Sequence, residues 1–127
     1  MQTRSGNQSD TDNDVSFLIT RRELADDTSL LSVEGDLDLA SAPSLKWALA
    51  DLQSAGSRHV VVDLARVSFI DSTALGVLIE ARTKLENRRG FLLAAPGLET
   101  RRALEISGLD RHFAVHDSLG DALAVDV

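Results

Sequence analysis

A run of β-branched residues, Val60-Val61-Val62, stands shortly before a polar knot, Asp71-Ser72-Thr73, that opens onto Ala74-Leu75-Gly76-Val77-Leu78-Ile79. The first run is apolar without alternation, which suits a strand covered on both faces, hence a central and parallel one. The segment after the knot places Ala74, Leu78, Ala81 and Leu85 on one stripe, with Leu75 and Ile79 alongside, as a helix does. A buried strand, a short connector and a helix in this order make the unit from which parallel sheets are built. Packing alone does not ask for two hydroxyls and a carboxylate between two apolar segments, so the search for function begins there.

The rest of the chain fits this unit. Val15, Phe17 and Ile19 alternate as one strand face, Arg21 to Ser29 reads as a polar turn, and Leu30 to Val33 as the second strand of a hairpin. That strand closes on Glu34-Gly35-Asp36-Leu37-Asp38, where glycine allows an unusual backbone angle. Ser41-Ala42-Pro43-Ser44 looks like a helix start, with Ser41 accepting from an orphan amide and proline in the first turn. Leu45, Leu49 and Leu52 follow at helical spacing, Trp47 and Ala48 broaden the apolar face, and Gly56 caps the end.

Beyond the central unit, Arg88-Arg89-Gly90 ends the second helix. Phe91 to Ala95 is a strand stopped by Pro96-Gly97, and Leu98 to Ser107 a helix ended by Gly108. His112 to His116 reads as an edge strand, and Asp117-Ser118 as the capped start of a last helix reaching about Val125. The expected order is β-β-α-β-α-β-α-β-α: an α/β single domain over 15–127 with a mixed, mostly parallel sheet, led by a disordered tail over 1–14.

Totals exclude several functions. With 127 residues the chain holds one core rather than two. A net charge of -7 disfavours nucleic acid and anionic membranes as partners. No stretch approaches the roughly 18 apolar residues of a membrane span, and the amino terminus lacks the order of a signal peptide. The absence of cysteine excludes disulfides and thiolate chemistry and fits a cytoplasmic location. His59, His112 and His116 have no metal-ligand spacing, and no phosphate-binding glycine loop is present. No nucleophile–base pair or metal set supports an enzyme, and neither metal nor cofactor is expected. Asp63 ends a hydrophobic strand as a receiver aspartate does. The supporting acidic pair and late lysine are missing, so it reads as a strand-end acid held by local hydrogen bonds.

At Asp71-Ser72-Thr73 two readings coexist: a carboxylate or hydroxyl capping the helix, and a hydroxyl held outward for modification. They are compatible, since Asp71 can cap while Ser72 projects.

Phe69-Ile70-Asp71-Ser72-Thr73-Ala74-Leu75-Gly76-Val77-Leu78 resembles the signature of the STAS domain family, in particular its bacterial anti-sigma factor antagonists. Gly35-Asp36-Leu37-Asp38 with Ser41-Ala42-Pro43, and Ile106-Ser107-Gly108-Leu109 ahead of His112-Phe113, match in the same order. The resemblance implies a small regulatory protein that, unphosphorylated, binds an anti-sigma factor of the GHKL serine kinase type and frees the sigma factor. The kinase, using Mg-ATP, phosphorylates Ser72, with Thr73 the secondary acceptor, and a PP2C-type phosphatase reverses it. Asp36, Asp38, Asp71, Thr73, Ala74 and Gly76 are the implied partner-binding positions, and a weak homodimer is compatible. Ala74 departs from the usual glycine, placing a methyl near the kinase contact, and Asp36 from the usual glutamate. The alternative is a scaffold or sensory STAS domain that works without phosphorylation.

Overall fold

The computed structural model describes residues 17–24, 27–85 and 90–125. The expected tail, Val15 at the start of the first strand, and Arg88-Arg89 lie outside them. The elements are β1 (Phe17–Leu24), β2 (Thr28–Leu37), α1 (Ala42–Ser54), β3 (His59–Ile70), α2 (Ser72–Lys84), β4 (Phe91–Ala94), α3 (Leu98–Ser107), β5 (Ala114–His116) and α4 (Leu119–Leu123). A 3-10 turn over Leu109–Arg111, absent from the sequence reading, follows the left-handed Gly108, and Phe113 beyond it packs on Phe91 with ring centroids 6.0 Å apart.

The sheet runs β1-β2-β3-β4-β5, with β1 antiparallel to β2 and every other pair parallel. β3 is central, as its unbroken apolar start requires. Val60, Val62 and Leu64 join the larger core with Leu31, Leu45, Leu49, Leu78 and Leu104, contributed by β2, α1, α2 and α3. Val61 faces the other way, onto Leu30, Leu92, Ala94 and Ala122 of α4. Three helices therefore cover one face and the short α4 part of the other.

The strands are longer than the polarity of the sequence suggests. Arg21 to Leu24 and Thr28-Ser29, read as turn, belong to the β1–β2 hairpin, whose outer residues alternate between half-buried and exposed. One edge and part of one face of β1 meet water, so Arg21, Arg22 and Glu23 are tolerated there; Arg21 is tied to Asp51 of α1 and, at 2.6 Å, to Glu23. Likewise Glu34 to Leu37 stay in β2, and β3 runs on past Asp63 to Ile70. Asp63 thus lies inside a strand rather than at its end, with its carboxylate accepting from the Ala65 amide at 3.0 Å.

The second half of β3 hid its strand character because the pairing slips twice against β2, between Ser32 and Glu34 and between Gly35 and Asp36. Each slip leaves an extra residue on β3, and Gly35 takes φ 99 to follow the bend. A bulge breaks the two-residue alternation. Val67 and Ile70 both point into the core, while Ser68 and Phe69 between them are exposed.

Candidate functional site

The carboxyl ends of β2 and β3 lie side by side, Leu37 opposite Ile70 and Asp36 opposite Phe69. Each feeds a helix that returns across the same face. Because β2 and β3 are parallel, α1 and α2 start at this one end and run in the same direction. They pack directly: Gln53 Nε2 donates to the Ala81 carbonyl at 3.2 Å, and Lys46 meets Glu80 at 3.5 Å. The Lys84 ammonium, hydrogen-bonded to Glu80, and the charge of Lys46 hold the Glu80 carboxyl below the ordinary carboxylate range.

The mouth of α2 is built around Asp71. Its amide donates to the Leu37 carbonyl at 3.0 Å, stitching the helix start to β2. Its Oδ1 accepts from the Ala74 amide at 3.1 Å, which caps the helix. The cap is therefore complete without either hydroxyl. Ser72, the first helical residue, and Thr73 are both exposed, and their amides are among the helix-start donors that have no intrahelical acceptor. A hydroxyl relieved of structural duty, at the positive end of a helix dipole, is placed to accept an anionic group.

The mouth of α1 is fixed differently from expectation. Ser41 makes no side-chain hydrogen bond to its own helix. Its buried hydroxyl turns back, donating to the Asp36 carbonyl at 2.7 Å and accepting from the Asp38 amide at 2.9 Å. The first-turn amides are approached instead by Asp38, whose carbonyl oxygen accepts from Ala42 at 2.8 Å and whose Oδ1 accepts from the Ala40 and Ser41 amides. Asp38 is thus the residue that shapes the β2–α1 loop, and it directly follows Leu37, whose carbonyl takes the Asp71 amide.

Of the positions singled out from the sequence, Asp36, Asp38, Asp71, Ser72 and Thr73 come together at this end. Gly76 lies one turn further along α2, on its exposed side. Ala74 does not join the surface: it is fully buried against the sheet, so its extra methyl is a core group rather than an obstacle at a partner contact. Trp47 corrects another expectation, being 71% exposed instead of widening the buried stripe of α1. It lies on the side of α1 opposite Leu45, Leu49 and Leu52, where none of the described residues covers it. Leu39, in the β2–α1 loop, and Phe69, turned out by the second bulge, are also exposed, at 72% and 50%. The sequence reading passed over these as surface anchors. The signal was there for Trp47 alone, since its position falls outside the helical spacing of the leucines.

Among the described residues no group of acids and histidines could hold a metal ion, and no helix is long and apolar enough to cross a membrane.

Comparison with known proteins agrees with this geometry. The model of the STAS domain matches residues 21–122. A curated relative, the anti-sigma-F factor antagonist RsfB of Mycobacterium tuberculosis, is 33% identical over 95 residues, 75% of this chain and 78% of its own length. Among solved structures, an anti-sigma factor antagonist from Mycobacterium paratuberculosis superposes with a TM-score of 0.79 at 33% identity, covering 85% of this chain and 92% of the other. The anti-sigma factor antagonist SpoIIAA in its unphosphorylated form shares the fold at a TM-score of 0.71 and 19% identity, covering 84% of this chain and 93% of the other. With strand order, helix placement and the family model in agreement, the chain belongs to the STAS domain family.

Proposed function

We propose that this protein is an anti-sigma factor antagonist: unphosphorylated, it binds an anti-sigma factor of the GHKL kinase type and releases the sigma factor, and phosphate on Ser72 ends the binding. The observation that carries this reading is the exposed Ser72 hydroxyl at a helix mouth already capped by Asp71. The relatives named as anti-sigma factor antagonists support it. The kinase uses its own Mg-ATP, and a PP2C-type phosphatase restores the binding form. The antagonist is a regulatory partner with no catalytic group of its own.

Magnitudes explain why such a modification switches binding more than folding. A phosphate adds a charge of about -1.5 to -2. The free amides and dipole at the mouth of α2 favour it by only about 0.3–1 kcal/mol at an exposed site. Set against a closely fitted partner, the same uncompensated charge costs several kcal/mol. The interface effect is the larger.

Incubation with the anti-sigma factor kinase and Mg-ATP, followed by peptide mass spectrometry, tests the reading. Phosphate is expected on Ser72, and Ser72→Asp is expected to weaken capture of the kinase by at least about tenfold, the equivalent of about 1.4 kcal/mol. A kinase that binds the chain yet leaves both Ser72 and Thr73 unmodified, or a Ser72→Asp chain with undiminished affinity, would overturn it.

A further inference from the structure

We infer that two copies of this chain associate through the outer face of α3, antiparallel and about a two-fold axis at Arg102, as a weak dimer. The contact does not involve Ser72, and it stands without the function proposed above.

The inward side of α3 holds Thr100 and Leu104, with Ala103 packed against the core beside them. The outward side follows from the same periodicity. At about 100° per residue it is centred on Arg102, with Leu98 and Ile106 about 40° to either side and Glu99 and Glu105 about 60° to either side. All five are exposed, and Ile106, at 81%, is the most exposed large apolar side chain among the described residues; Leu98 stands at 70%. The residues that follow Ile106 have tasks inside the chain. The Ser107 hydroxyl donates to the Leu104 carbonyl at 3.1 Å, Gly108 takes the left-handed angle that ends the helix, and Leu109 packs against the core. Burial within this chain uses neither Leu98 nor Ile106. A single exposed aliphatic is ordinary. Two on one i, i+4, i+8 ridge of a ten-residue helix form a patch.

Read outward from Arg102, this face is the same in both directions: a glutamate three residues away (Glu99, Glu105) and a large aliphatic four residues away (Leu98, Ile106). An isologous contact sets residue i against j and j against i. An antiparallel pair centred on Arg102 therefore sets Leu98 of each copy against Ile106 of the other. The ridge through Leu98, Arg102 and Ile106 is an i±4 row, the kind that interdigitates in the commonest class of helix packing, with axes crossing at about -50°. The two arginines then meet at the axis, with glutamates of both copies on either side. Arg102 already lies 3.8 Å from Glu99 within one helix.

Charge and size select the occupant and its strength. The chain carries -7, which opposes contact between copies over most of its surface. On this face the acids alternate with a base, so each copy offers the other both signs. A wholly apolar partner would leave these charges unpaired at the contact, which is costly. A ten-residue helix is about 15 Å long and cannot cover the roughly 800 Å² per partner of a stable complex. The association is therefore weak, with a Kd of about 0.1–1 mM.

The chain contains no cysteine, so introduced thiols report this contact alone. Leu98→Cys and Ile106→Cys chains, mixed under mild oxidation at concentrations near the expected Kd, are to form a disulfide at least about tenfold faster than either chain does by itself, because like positions stand about 12 Å apart along the paired helices. Sedimentation equilibrium of the wild-type chain over the same concentrations is expected to show a mass rising from one chain toward two. Ile106→Asp is expected to hold it at one chain, with a melting temperature within about 2 °C of wild type, as for an exposed position. Should Ile106→Asp melt lower than that, Arg102→Glu, which gives the face one sign of charge, supplies the same readout. A wild-type chain that stays monomeric throughout overturns the inference, whether or not another protein holds α3. Single thiols that crosslink as fast as the mixture overturn the antiparallel register, and a dimer that survives both charged variants overturns the assignment to α3.

Discussion

Replacing Gly76 by alanine separates what the fold needs from what a partner needs. Gly76 is an interior residue of α2 (Ser72–Lys84), it is exposed, and an added methyl would touch nothing within 4 Å. No contact is gained and none is strained, so the effect comes from the unfolded chain, which has fewer conformations to lose with alanine. At a compatible helical position that stabilises by about 0.5–1 kcal/mol. For a domain of this size the gain corresponds to a rise of about 2–5 °C in melting temperature. Far-UV circular dichroism through a thermal ramp reads it, and Gly56→Ala supplies the control. Gly56 also has nothing within 4 Å of its Cβ, but it sits at φ +85 after α1. Alanine there is strained by about 1–2 kcal/mol and is expected to lower the melting temperature. The same chemical change thus has opposite signs at two open sites, decided by backbone angle alone. A fall in melting temperature for Gly76→Ala would refute the argument, since it would mean that α2 needs this glycine for its own packing.

Two further substitutions test the frame around the site. Asp71→Ala removes the side chain that accepts from the Ala74 amide and is expected to destabilise by about 1 kcal/mol in urea unfolding, with Asp71→Asn retaining most of the stability because asparagine caps equally well. Gly90→Ala would bring a Cβ to 2.4 Å from the Arg58 carbonyl oxygen, a backbone atom that cannot swing away, and a loss of about 1–3 kcal/mol is expected in the same assay; no loss would show that this approach relaxes freely.

Where one physical rule acted alone, the sequence was legible. The unbroken Val60-Val61-Val62 run announced a strand buried on both faces, and it is the centre of the sheet. α3 was readable to its ends because Gly97 and Gly108 bracket a helical pattern, and Gly108 takes the left-handed angle that stops it. Legibility failed where two rules competed. Arg21 to Ser29 looked like a turn by polarity, yet an edge strand with solvent on one side accepts such residues, and the paired strands take in Arg21 to Leu24 and Thr28-Ser29. Ser41 had the right residue type for a cap, but the Asp36 carbonyl and Asp38 amide offered its hydroxyl better-placed partners outside the helix. Ala74 sat in a motif whose neighbours are exposed, and only the three-dimensional helix shows that its own side chain turns inward.

The slips between β2 and β3 explain most of what could not be read at the site, and they also make the site. Had the alternation set by Val62 and Leu64 continued without interruption, the even-numbered residues of β3 would have faced the larger core. With one extra residue accommodated on β3 before Val67 and another before Phe69, the inward set becomes Val67 and then Ile70. The second slip undoes the reversal made by the first, so that Phe69 faces outward instead of following Val67 inside, and Ile70 is delivered opposite Leu37, where the next amide, that of Asp71, can reach the Leu37 carbonyl. That bond sets where α2 begins, and the position of its first residue, Ser72, follows from it. A bulge lowers the regularity of a sheet and leaves a residue unpaired. Here the irregularity decides which aromatic meets the outside and which hydroxyl stands at a helix mouth. The segment least predictable from periodicity is accordingly the one that carries the surface chemistry.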